Sequence, residues 1–141
     1  MIFTELTKKA LVISFNAHKE QRDKAGMPYV YHPYRVAEQM QDEYSTCVAL
    51  LHDVVEDGGS SFEALEQVFP QEVMDALRLL THDKSVPYMD YVRNIKTNPI
   101  AVAVKLADLA DNSNPDRLGA LTEEGRARLE KYREARRILN E

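Results

Sequence analysis

The chain has 141 residues, 44% hydrophobic and 29% charged, with 18 Lys and Arg against 23 Asp and Glu and a formal net charge of −5. This length and balance fit one globular domain with a buried core, and the lack of a cationic excess argues against sequence-independent binding to a nucleic-acid polymer. Cys47 is the single cysteine, which excludes an intrachain disulfide, and no signal-like start or bilayer-length apolar run is present, so a cytoplasmic protein without a membrane partner is expected.

Thr4 to Asp23 reads as an amphipathic helix capped by Thr4, with Leu6, Ala10, Ile13, Ala17 and Leu11, Phe15, His18 on one broad face. The turn Ala25-Gly26-Met27-Pro28 ends it, and Tyr29-Val30-Tyr31 is a short extended approach. His32 precedes Pro33, and proline favours the first helical position, so His32 is expected at the N-cap of a helix carrying Val36, Ala37 and Met40. A central helix from Ser45 or Thr46 to Asp57 is apolar on more than one side through Leu50, Leu51, Val54 and Val55, as a buried helix is. Ser60-Ser61-Phe62-Glu63 resembles a capping box before a short helix that Pro70 interrupts. Gln71 to Leu80 and Tyr88 to Lys96 are helical around a polar connection. Pro99 opens a helix with Ile100, Ala103, Val104 and Ala107 inward that leads to Asp108, and Asn114-Pro115 breaks it. Thr122 caps a last helix, Glu123 to Leu139, with Leu129, Tyr132, Ala135, Ile138 and Leu139 as its apolar stripe. No strand alternation, repeat or low-complexity linker stands out. The expectation is a single all-α domain over 1–141, a bundle of roughly seven or eight helices.

The most informative stretch is Ala49-Leu50-Leu51-His52-Asp53-Val54-Val55-Glu56-Asp57-Gly58. At helical spacing it brings an imidazole and three carboxylates to one helix end. Acids there oppose the helix dipole at a cost of about 0.3–1 kcal/mol per charge, which a cation among them would remove. His32, His52, Asp53 and Asp108 are the candidate ligands. Each has a plainer reading: His32 as a helix cap, Asp53 as a surface acid, Asp108 as the partner of Lys105, the acids as a solvated helix end. Adjacent His and Asp on a buried helix favour the cation, because buried charges must be paired or bound to metal. Two imidazoles and two carboxylates without thiolate suit Mn²⁺, Fe²⁺ or Zn²⁺. Four protein ligands leave an open position only at higher coordination, which favours Mn²⁺ or Fe²⁺ over tetrahedral Zn²⁺. Glu56 and Asp57 are then placed to orient or deprotonate a water.

The pattern His32 … His52-Asp53 … Asp108 resembles the HD phosphohydrolase superfamily. Ala17-His18-Lys19-Glu20-Gln21-Arg22, Gly26-Met27-Pro28-Tyr29-Val30-Tyr31-His32-Pro33, Ala49 to Asp57, and Val104-Lys105-Leu106-Ala107-Asp108 narrow this. Together they are similar to the hydrolase domain of RelA/SpoT-type proteins and to stand-alone small alarmone hydrolases. The resemblance implies an HD-domain helical bundle that hydrolyses the 3′-pyrophosphate of ppGpp or pppGpp with Mn²⁺, yielding pyrophosphate and GDP or GTP. It carries metal binding onto His32, His52, Asp53 and Asp108, and water handling onto Glu56 and Asp57. It carries nucleotide binding onto Arg22, Lys24 and Asn112.

The chain departs from the family pattern at Leu109-Ala110-Asp111, where a basic residue and, two positions on, a histidine or tyrosine are usual. Its loop Arg22-Asp23-Lys24-Ala25-Gly26 also replaces a tandem basic pair followed by serine and glycine. A less positive nucleotide pocket and weaker ppGpp affinity are therefore expected. Lys105 and Arg117 lie near the metal-bearing helix end without an assigned direction. Two alternatives stand beside the alarmone reading: phosphohydrolase chemistry on another nucleotide or phosphoester, and a catalytically silent helical binding module.

Overall fold

The computed structural model describes residues 1–118 and 121–141. Among them the chain forms α1 (Glu5–His18), α2 (Tyr31–Glu38), α3 (Glu43–Leu51), α4 (Phe62–Glu66), α5 (Gln71–Leu80), α6 (Tyr88–Ile95), α7 (Pro99–Asn112), α8 (Pro115–Leu118) and α9 (Glu123–Asn140). No strand occurs among the described residues beyond an isolated bridge between Arg22 and Pro28, so the expected all-α bundle is what the chain builds.

Helix α3 is the hub. Every residue from Ser45 to Leu51 is buried, and the helix packs against α1, α2, α5 and α7. A helix apolar all round can only be satisfied by neighbours on every side. Helix α9 closes the bundle by laying Ala135, Ile138 and Leu139 against α6 and α7. No helix of the described residues is long and apolar enough to cross a membrane.

Several boundaries differ from the sequence expectation, each for a local reason. Helix α1 stops at His18, not Asp23, because the Gln21 amide nitrogen donates to the His18 carbonyl at 2.9 Å and the chain turns toward the Arg22–Pro28 bridge. Of the expected face, Ala10 and His18 are buried and Leu6, Leu11, Ile13 and Ala17 pack against the core, but Phe15 is exposed and Thr7 and Ser14 are buried with them. Tyr29 to Tyr31 are not extended: Val30 is α-conformed and is the N-cap of α2. His32 therefore lies inside the first helical turn rather than at the cap. Pro33 fits beside it, since first-turn N–H groups have no intrahelical acceptor to lose.

Helix α3 begins earlier, with the Asp42 side chain accepting from the Ser45 N–H, and ends at Leu51 instead of reaching Asp57. The His52 Nδ1 lies 2.5 Å from the Ala49 carbonyl oxygen. That oxygen would otherwise receive the Asp53 N–H in a continuing helix. On α7 the inward residues are Ala101, Val104, Asp108 and Leu109, whereas Ala103 is exposed.

Candidate metal centre

Two histidines face the same point with their roles already set. A carbonyl oxygen only accepts, so the contact of His52 Nδ1 with Ala49 places the proton on Nδ1 and leaves Nε2 basic. His52 Nε2 is buried without a hydrogen-bond partner. It lies 3.1 Å from Asp53 Oδ2 and 3.4 Å from Asp108 Oδ1. His32 repeats the arrangement from the first turn of α2. Its Nδ1 is 2.6 Å from Asp111 Oδ2, and its Nε2 is 2.8 Å from Asp108 Oδ1 and 3.9 Å from Asp53 Oδ2. The structure thus brings His32, His52, Asp53 and Asp108 together from α2, the end of α3, the turn after it and α7.

Ligand atoms of His32, His52 and Asp53 lie within 4.8 Å of one another. Asp108 adds Oδ1, while its Oδ2 receives the Lys105 ammonium at 2.9 Å and Asn112 donates to Oδ1 at 3.1 Å. The plainer reading of Asp108 as a partner of Lys105 therefore holds as well, although the pair is buried and not on a surface.

The electrostatics of the cluster call for positive charge. Burial pushes the His52 pKa down, but the charges of Asp53 and Asp108 outweigh it and the net shift is strongly upward. For His32, too, burial is outweighed, by hydrogen bonds with Asp108 and Asp111. Burial would raise the Asp53 carboxyl, yet the charges of His52 and His32 bring it down to about 2. Without a cation the cluster favours the charged form of both rings. A divalent ion supplies the same charge and accepts the two basic nitrogens directly. A buried basic nitrogen without a partner, facing two carboxylates, fits a transition metal.

The two candidate catalytic acids do not share a face. The segment after Leu51 is a run of turns, not a helix, so helical spacing does not apply to it. Glu56 borders a cavity of about 120 Å³ with His52, Asp53, Lys105 and Asp108, walled by His82, Tyr88 and Tyr91. Its carboxylate accepts the His82 backbone N–H at 2.6 Å, and burial raises its pKa. Asp57 turns toward α1, with Oδ2 3.6 Å from His18 Nδ1.

Arg22, Lys24 and Asn112, the expected nucleotide contacts, line one cavity of about 350 Å³ together with Tyr29, Arg117, Arg128 and Tyr132. Tyr29 and Asn112 join it to the His–Asp cluster, since the Tyr29 hydroxyl donates to Asp53 Oδ2 and Asn112 donates to Asp108. Leu109 lies fully buried in the core and so faces away from this cavity.

Sequence reasoning did not aim Lys105, Arg117, Arg128, Tyr132 or Asp111 at the site. For Asp111 a signal existed: it follows Asp108 by three residues, on the same helix face. For Arg128 and Tyr132 there was none, because α9 reaches the cavity only through the fold.

Residues 10–102 match the family described as the HD domain. The chain belongs to the HD-domain family. This HD domain is 30% identical over 139 residues to the GTP pyrophosphokinase rsh of Brucella melitensis, covering 88% of the chain and 18% of that protein. It is 29% identical over 137 residues to the bifunctional (p)ppGpp synthase/hydrolase SpoT of Escherichia coli K12, covering 86% of the chain and 19% of that protein. It is 37% identical over 108 residues to the guanosine-3′,5′-bis(diphosphate) 3′-pyrophosphohydrolase MESH1 of Drosophila melanogaster, covering 67% of the chain and 60% of that protein. A solved structure of a metazoan ortholog of SpoT that hydrolyzes ppGpp superposes with a TM-score of 0.79 at 29% identity, over 99% of this chain and 88% of the other. The HD domain described here is thus related to the SpoT and rsh hydrolase domains and to MESH1, and spans less than two thirds of the length of these curated relatives.

Proposed function

We propose that this HD domain hydrolyses the 3′-pyrophosphate of ppGpp or pppGpp, adding water and releasing pyrophosphate with GDP or GTP. In this reading His32, His52, Asp53 and Asp108 hold a divalent metal, Mn²⁺ foremost. The observation that carries the reading is the pair of basic Nε2 atoms set against two carboxylates, with both Nδ1 protons committed elsewhere. When bound, the ion supplies Lewis-acid polarisation of a phosphoryl oxygen and a more acidic water. Glu56, on the small cavity, and Asp57, one residue on, take the water's proton or fix its orientation. Arg22 and Lys24 hold the nucleotide anion, and Asn112 links that cavity to Asp108. Arg117 and Arg128 add positive charge there.

A second reading, phosphohydrolysis of another nucleotide or phosphoester, draws on one observation. Lys105 is the sole Lys or Arg among the described residues lining the small cavity, and Asp108 already claims it. A release assay with Mn²⁺ against a nucleotide panel separates the two. Pyrophosphate with GDP from ppGpp supports the first, and phosphate from simple nucleotides with ppGpp untouched supports the second. No turnover of any phosphoester would leave a binding module.

A further inference from the structure

Asp111 occupies a position where the resembled family carries histidine or tyrosine, and its surroundings give it work to do. Its side chain is 10% exposed and receives four N–H contacts from three side chains. His32 Nδ1 reaches Oδ2 at 2.6 Å and Arg117 Nη1 reaches it at 2.8 Å. Arg35 Nε reaches Oδ1 at 2.8 Å, and Arg35 Nη2 reaches Oδ2 at 3.2 Å. Two guanidinium groups from α2 and α8 therefore hold one carboxylate in a fixed orientation against the back of His32. An ionised carboxylate can only accept, so it holds the imidazole proton on Nδ1.

We infer that Asp111 is a positioning residue for the metal centre: it locks the His32 ring with Nε2 toward Asp53 and Asp108 and strengthens that nitrogen as a ligand. This rests on the reading of His32 as a metal ligand given above. A hydrogen-bonded carboxylate behind a ligating histidine fixes the ring and raises its basicity, and its loss weakens metal affinity. Arg117 also lines the larger cavity and donates to the Asn112 side chain at 3.2 Å. The carboxylate that orients the metal ligand is thus itself anchored by a residue of the nucleotide pocket. An apolar residue at this position would leave Arg35 and Arg117 without their common partner and His32 Nδ1 without its acceptor.

The test is Mn²⁺ titration by calorimetry on the purified wild-type protein, Asp111→Ala and Asp111→Asn, with thermal unfolding as the fold control. Asp111→Ala is expected to raise the Mn²⁺ Kd about 10–100-fold. Asp111→Asn, whose amide oxygen still accepts from Nδ1, is expected to fall between it and the wild type. A purely structural role would lower the Tm of both variants and leave Kd unchanged, and an unchanged Kd in folded Asp111→Ala overturns the inference. Should that variant not fold, the asparagine variant and the ¹H–¹⁵N spectrum of the Zn²⁺-loaded wild-type protein decide. A protected His32 Nδ1 proton supports the inference and its absence overturns it. If Asp53→Ala leaves wild-type Mn²⁺ binding intact, the metal centre itself is misassigned and this inference falls with it. If Asp53→Ala abolishes binding while Asp111→Ala does not alter it, only the role of Asp111 fails.

Discussion

A histidine ring has two nitrogens, and in this protein the one facing away from the site determines what the other can do. His52 gives its Nδ1 proton to Ala49 and His32 gives its own to Asp111, so both Nε2 atoms reach the cluster as bases. Asp53 answers them from the same short turn, and Asp53→Ala is expected to remove both metal and turnover, read by metal analysis of the purified variant. Glu56→Gln and Asp57→Asn keep shape and remove charge. If these acids handle the attacking water, turnover falls by about 10²–10⁴-fold with metal retained, and metal content measured beside kcat separates that role from ligation. Glu56 borders the cavity that holds Asp53 and Asp108, while Asp57 faces His18, so the larger loss is expected for Glu56→Gln.

Asp111 also carries a pH signature in the metal-free protein. Burial would raise its carboxyl, but the hydrogen bonds from His32 and Arg35 bring it down to about 2. A depressed carboxyl stabilises the fold above its unfolded pKa, and that contribution disappears as pH falls through the folded value. Stability on the order of 2 kcal/mol is therefore expected to be lost between about pH 4 and pH 2. Thermal unfolding across that range should show a shallower decline for Asp111→Asn.

At the scale of elements, the site depends on α3 ending early. A helix continued to Asp57 would have put His52, Asp53, Glu56 and Asp57 on adjoining faces. The turns after Leu51 instead send Glu56 toward the α5–α6 connection and Asp57 toward α1. That run closes where Gly58 adopts φ +79 and Gly59 passes so near α1 that a Cβ would lie 2.3 Å from the Ala17 Cβ. Gly59→Ala must push the turn or α1 aside. The expected cost is about 1–3 kcal/mol, as for overpacking elsewhere, together with weaker Mn²⁺ binding because His52 and Asp53 move with the turn. Thermal unfolding and metal titration on the same variant check both parts.

At the scale of the molecule, an acidic protein gathers a local basic pocket from distant pieces of chain. Arg22 and Lys24 come from the α1–α2 connection, Asn112 from the end of α7, Arg117 from α8 and Arg128 from α9. With a net charge of −5, long-range steering offers an anion little help, so affinity rests on these near contacts. Arg22→Ala is accordingly expected to raise KM for ppGpp with little change in kcat, the signature of lost uniform binding. Steady-state kinetics at fixed Mn²⁺ tests this, and a fall in kcat at constant KM would contradict it.

Much of this was legible in the linear chain because it rests on local physics. Helical periodicity, the Ser- and Thr-capped starts and proline punctuation depend on neighbours within a turn, so α5 and α7 and the all-α bundle could be read directly. The four candidate ligands could be named because His beside Asp on an apolar segment has few inexpensive explanations. What the sequence could not carry is direction. A side-chain contact accompanies the end of α3 six residues before the expected Asp57, and a backbone turn moved His32 from a helix cap into the helix. Leu109 and Asp111 looked like lost basic and aromatic groups. In the fold the first is core, and the second is a carboxylate held by two arginines behind His32, a role that exists only once α2, α7 and α8 have packed together.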